Sequence, residues 1–498
     1  IPGIAAAIKS AFTGANNMTA NMDQGSNIMY IDSPGGYADI TDFTGLPDIT
    51  TGFFNFIGTG YNQYVMKDIL LTLDSTTDSN LDSGTYSNIQ FLQSSVTVNA
   101  GINVAGTQSN QFAIAQKNAI GGTVSGINII NNGTISLTGL DSTGIAGDYI
   151  TMKNAATGKI AIGANSIGMY SANGSVAVNE GEIELNSGSI GIYGINYFAG
   201  ATNSATLGYG TDKINIENQK DIKTVSGGVT GDAFGIFADN GLTLADSSVN
   251  LTSASNIDLK GTGKVIGAYL KKTNLTSAGT ITVESTTGGT SVGIYSDEST
   301  AATPITGSIN VSGGLGVGLF LNDSSMVNNA AITVDNVTSG AGIYVNGDAI
   351  SSTGTNTNTI SIGDNVTGMF GVGAGLSTGT VTNSGTIQSL TTSANKAIGM
   401  YIGSNGIGNN SGNIYLTAVG TNKDQVGVYN AGTFNMTGGN IEVFSQNGAG
   451  LYATGTANLS GGTIKTGNGA IGLYSDGTTI NLSGTYKSIV ENGGIFAL

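Results

Sequence analysis

A three-residue phrase, Gly then an aliphatic then Tyr or Phe, recurs through most of this chain and constrains its fold more than any other feature. It ends at Tyr170, Tyr193, Phe237, Tyr269, Tyr295, Phe320, Tyr344, Phe370, Tyr401, Tyr429, Tyr452, Tyr474 and Phe496. The successive intervals are 23, 44, 32, 26, 25, 24, 26, 31, 28, 23, 22 and 22 residues. A fixed period of this length marks a stacked repeat rather than a series of independent domains. The interval of 44 is about twice the basic step and suggests a turn whose aromatic phrase has degenerated at Tyr209.

Between the phrases lie short segments of alternating aliphatics bounded by small polar residues. Examples are GEIEL with Ile183 and Leu185, NIDL with Ile257 and Leu259, TITV with Ile281 and Val283, and TISI around Ile360. Period-2 alternation bounded by Gly, Asn and Ser predicts half-buried strands, whereas a helical repeat needs a period near 3.6. Only 4 Pro occur in 498 residues, so little interrupts a strand ladder. The expected fold is all-β, a right-handed parallel β-helix with an irregular N-terminal cap, each coil supplying two or three short strands. Strict alternation places Ile167 and Met169 inward together and Gly168 and Tyr170 outward or at a corner. The aromatic series is then expected to be a structural ladder stacked along one face.

Residues 1–84 differ from the rest of the chain, with three of the four Pro and many aromatics. An open solenoid end exposes core and strand edges, so this segment is expected to be a cap, a binding head, or both. Phe53, Phe54, Phe56, Tyr61 and Tyr64 form the candidate binding region. Residues 85–165 read as irregular first coils and 166–498 as regular repeats expected to continue past Leu498.

The chain has no Cys, His or Trp, and its 16 basic residues are all Lys. Such a chain cannot build the usual zinc, haem or iron-sulfur ligand sets, nor a thiol or Ser–His nucleophile. We therefore expect no enzyme, cofactor or metal site. Paired carboxylates could still cleave a glycoside, but Glu182 and Glu184 alternate with buried aliphatics and are expected on the solvated strand face. A formal charge of −16 opposes nucleic acid and anionic lipid. No apolar run is long enough to span a membrane as a helix.

The phrases SIGMYSANGSVAVNEGEIELNSGSIGIYG and NKAIGMYIGSNGIGNNSGNIYLTAVG resemble those of the large fusobacterial autotransporter adhesins. The resemblance covers roughly residues 160–498. It implies a secreted passenger that reaches the bacterial surface and is anchored to the outer membrane through a C-terminal translocator. It further implies partners among host-cell glycans, receptor proteins or other bacteria. Two alternatives are a structural surface-layer or filament subunit that self-associates and a polysaccharide-cleaving β-helix.

Overall fold

The computed structural model describes residues 95–493, apart from 110, 118–127, 149, 173, 197–212, 241–246, 287, 302, 391–394, 418–422 and 492, together with the backbone of six strands between residues 19 and 92. Among these residues there is no helix, and the strands form a parallel β-helix, as the alternating sequence predicts. The chain divides into two compact units, one made of residues 1–229 and 233–250, the other of 230–232 and 251–498.

Each unit repeats one plan. One sheet is built from the strands that carry the Gly-aliphatic-aromatic phrase, such as Ile167–Ala172 and Ser189–Ile195 in the first unit and Leu315–Asn322 and Ser339–Gly347 in the second. The other is built from pairs of short strands, such as Val176–Asn179 and Glu182–Leu185, each aligned with its equivalent one coil away. Alternation decides which side chains enter the core. Ile183 and Leu185 are fully buried while Glu182 and Glu184 stay half-exposed.

Between the paired strands the chain turns on buried asparagines. The Nδ2 group of Asn131 donates to Asn154 Oδ1, Asn154 to Asn179, and Asn179 to Asn218, at 2.8, 2.8 and 2.7 Å. The second unit holds a matching column through Asn328, Asn356, Asn383 and Asn410, at 3.1, 3.0 and 2.9 Å. Each amide thereby supplies a donor and an acceptor along the coil axis, the condition for burying so polar a group. A corner next to the aromatic sheet is made by single residues in left-handed backbone, among them Lys272, Glu298 and Asp323 at φ 49, 46 and 48°.

Strict alternation fails at the repeat phrase itself. Met169 is fully buried but Ile167 is half-exposed, as is Tyr170. The cause is Gly168. The register pairs Ile167 with Ile190 and Met169 with Ile192, and the glycine between takes no place in it. Two successive residues, Gly168 and Met169, are therefore both buried, which shifts the parity of the strand while its pairing with the next coil stays in register. A Cβ on Gly168 would lie 2.5 Å from the Gly191 carbonyl oxygen and 2.8 Å from Ile183 Cγ2. Gly293, Gly318 and Gly342 meet the same two walls in the second unit. The persistence of glycine in the phrase thus reflects lack of space above each one.

The long interval also has a different origin from the expected one. Tyr193 pairs directly with Phe237, and Asn179 bonds directly to Asn218, so no degenerate coil intervenes. The extra length is an insertion between Ser189–Ile195 and Asn215–Asn218, and Tyr209 within it lies outside the described residues. Towards the N-terminus, Thr19–Asp23 and Ile28–Asp32 pair antiparallel. Ile28–Asp32 then pairs in parallel with Gln63–Lys67, and that strand with Ile89–Leu92, so parallel stacking is present on both sides of residue 84.

Candidate functional site

Three surface features of the coil could carry function: the aromatic row, the carboxylates, and the turns. In the first unit Tyr170, Tyr193 and Phe237 lie 5.5 and 5.2 Å apart with rings inclined at 49 and 58°. In the second unit nine rings from Tyr269 to Tyr474 are spaced at 4.5–5.3 Å, with planes within 16° of parallel. All are half-buried, each lying against its neighbour one coil away. Such stacking fixes register through repeated aromatic contact. Phe496 lies outside the described residues, as do Phe53, Phe54, Phe56 and Tyr61, while Tyr64 falls in the strand Gln63–Lys67.

The clustered carboxylates are engaged with lysines. Lys153 bridges Glu180 at 2.7 Å, Lys159 bridges Glu182 and Glu184 at 3.1 and 3.0 Å, and Lys223 bridges Glu182 at 2.7 Å. Partial burial alone would raise the Glu182 carboxyl, but hydrogen bonds from Lys223 and Lys159 outweigh it and hold the group below its ordinary value. Asp297 accepts from Asn322 Nδ2 at 2.8 Å, and Glu298 lies 3.5 Å from Lys272. Among the described residues no three acidic, His or Cys side chains converge as a metal ligand set would.

The turns hold the most specific arrangement. Residues 348–351 and 374–378 are loops on neighbouring coils of the second unit, and they and the strand end at Gly347 are bonded to each other. Ala374 N–H donates to the Gly347 carbonyl at 2.9 Å, Ser377 Oγ to the Ala349 carbonyl at 3.0 Å, and Thr378 N–H to Ser351 Oγ at 3.1 Å. Beneath them the Asp323 carboxylate, 8% exposed, accepts the N–H groups of Asp348, Ala349 and Ile350 at 2.8, 3.0 and 3.1 Å. Asn405 Nδ2 donates to the Gly375 carbonyl at 3.1 Å from the next coil. This scaffold presents two aliphatic side chains to solvent, Ile350 at 54% and Leu376 at 102% exposure.

Exposed aliphatics on flexible chain are unremarkable, but here the backbone around them is pinned by charge-assisted and hydroxyl hydrogen bonds. A fixed apolar tip has already lost the conformational entropy that binding would otherwise consume. Reasoning from sequence missed these residues. A signal was present: the ring interval from Phe320 to Tyr344 is 24 residues, whereas the equivalent serines Ser324 and Ser352 are 28 apart, which locates an insertion just after the ring.

No known protein family matches the chain, and no curated protein or solved structure shows significant similarity to it.

Proposed function

We propose that this chain is the adhesive body of a bacterial surface protein, a β-helical spacer whose turn loops attach the cell to host cells or to other bacteria. The observation that carries this reading is the pinned loop pair with Ile350 and Leu376 at its tips. Binding sites concentrate on loops held by a rigid scaffold, and apolar side chains already fixed there lose little further freedom on contact. The partner is a glycoprotein or receptor on the apposed cell, and the passenger reaches it from an outer-membrane anchor, as the resemblance to the fusobacterial adhesins implies. Phe53, Phe54, Phe56, Tyr61 and Tyr64 remain the proposed second contact.

The test uses the whole chain bearing Ile350→Asp and Leu376→Asp together. Saturable binding to host cells or partner bacteria should fall at least tenfold while thermal unfolding is unchanged, because neither side chain contributes to the core. Undiminished binding by the double variant would sink the loop assignment. Loss on substituting Phe53 and Phe54 instead would move recognition to the first 84 residues.

A further inference from the structure

On the outer face of the aromatic sheet in the second unit, a second row runs beside the rings. It occupies the position three residues before each ring, from Ile266 through Val292, Val317 and Ala341 to Ile471, paired coil by coil in one register. Thr367 is its one hydroxyl-bearing member, and it is 9% exposed. The two rows differ in height. Every ring is half-exposed, whereas Val292, Ala341 and Ala449 are only 4, 3 and 7% exposed. The outer face therefore carries a ridge of nine rings next to a lower, mainly aliphatic shelf of equal length.

Neither row contains a charged residue, in a chain of net charge −16. Charges appear only at the margins, as Lys264, Lys271 and Asp297. With rings repeating at 4.5–5.3 Å, the strip is roughly 40 Å long, and three residues plus side chains make it roughly 15 Å wide. That gives roughly 600 Å² per partner, the lower end of what a specific dimer buries. A footprint of this size stands at the upper end of the largest apolar patch a monomer exposes, where such patches are often functional.

We propose that this strip is the interface with a second copy of the same chain, the two copies lying side by side with coil axes parallel. The geometry selects that arrangement. A two-fold axis along the coils sets the ridge of one copy on the shelf of the other, and the identical coil spacing lets rings and aliphatics interlock over the whole strip. A two-fold axis across the coils would set ridge on ridge and leave the shelves empty. Because the strip is uncharged, two acidic chains meet there without like charges opposed. The proposal is independent of the adhesive role of the loops.

The test is sedimentation of the whole chain with and without Val426→Lys, which adds a charge on the half-exposed part of the shelf. The intact chain should pass from monomer to dimer with a micromolar dissociation constant, and the variant should weaken this at least tenfold with unchanged circular dichroism. A chain that stays monomeric at hundreds of micromolar overturns the proposal, whether or not it then binds neutral lipid vesicles or oligosaccharides. A dimer that persists in a folded V426K variant overturns it as well. Should that variant fail to fold, spin labels decide. The chain has no Cys, so Ile266→Cys and Ile471→Cys each give one label site at opposite ends of the strip. Parallel pairing predicts a short inter-copy distance, about 2–3 nm, at both sites. Distances near 5 nm or beyond at both ends overturn the parallel arrangement.

Discussion

Each glycine of the repeat phrase occupies a place where one carbon atom cannot be added. A Cβ on Gly318 would stand 2.5 Å from the Gly342 carbonyl oxygen and 2.6 Å from Ile332 Cγ2, one of them backbone and the other core. Gly318→Ala should therefore cost about 2–3 kcal/mol through overpacking. Gly375 offers the contrast, with nothing within 4 Å of its would-be Cβ and a φ of +59°. Gly375→Ala should cost about 1 kcal/mol, from backbone conformation alone. Denaturant unfolding of the two variants checks the order, and equal losses would contradict the steric account. The asparagine columns make a second prediction. Asn356→Ala removes the acceptor of Asn328 and the donor to Asn383, both buried. Two orphaned polar groups should cost about 2–5 kcal/mol, with amide exchange accelerating in the neighbouring strands Ser325–Asn328 and Gly379–Asn383.

At the level of strands, the period-2 segments were legible because one face of each is buried and the other wet, and Glu182–Leu185 follows that rule residue by residue. The phrase was legible as a repeat but misread in parity, since alternation assumes that every residue advances the pleat and Gly168 does not. The asparagine columns went unnoticed because Asn between strands reads equally well as an exposed turn; only its recurrence one coil apart distinguishes the buried case. The stacked rings also set a pH response. Burial, reinforced by Asp297, pushes the Tyr295 phenol above its ordinary value, and burial pushes Tyr344 up likewise. A raised folded pKa means that the folded state holds its protons longer, so this contribution is complete below the unfolded value near 10 and is lost as pH rises through the folded value. Thermal unfolding measured from pH 8 upward should decline beyond about pH 10, and Tyr295→Phe with Tyr344→Phe should flatten that decline. At the acid end Glu182 behaves oppositely. Its lowered carboxyl contributes above the ordinary carboxylate value and ceases to contribute as pH falls through the folded value.

For the molecule as a whole, a chain without Cys, His or Arg announces its fold through repetition and its function scarcely at all, because the proposed contact, the loop pair, is a matter of insertion length rather than of reactive residue types. Repetition has its own thermodynamic consequence: stability is close to a sum of coil terms and contacts between adjacent coils. The register makes this testable by deletion. Ala449 pairs with Ile471, and Val426 with Ala449, so removing residues 449–470 joins Gly448 to Ile471 and brings Ile471 opposite Val426. One ring, the glycine of one repeat phrase and one pair of core layers are lost, yet every remaining strand still meets an equivalent partner. The shortened chain should fold with unchanged strand content per residue and unfold within a few degrees of the parent, since only one coil term and one contact have gone. Removing residues 449–459 deletes half a coil, sets the aromatic sheet against the wrong partners and should abolish cooperative unfolding from that point onward. If both deletions were equally damaging, the coil would not be the unit of stability, and the repeat phrase would mark a sequence period without a matching structural one.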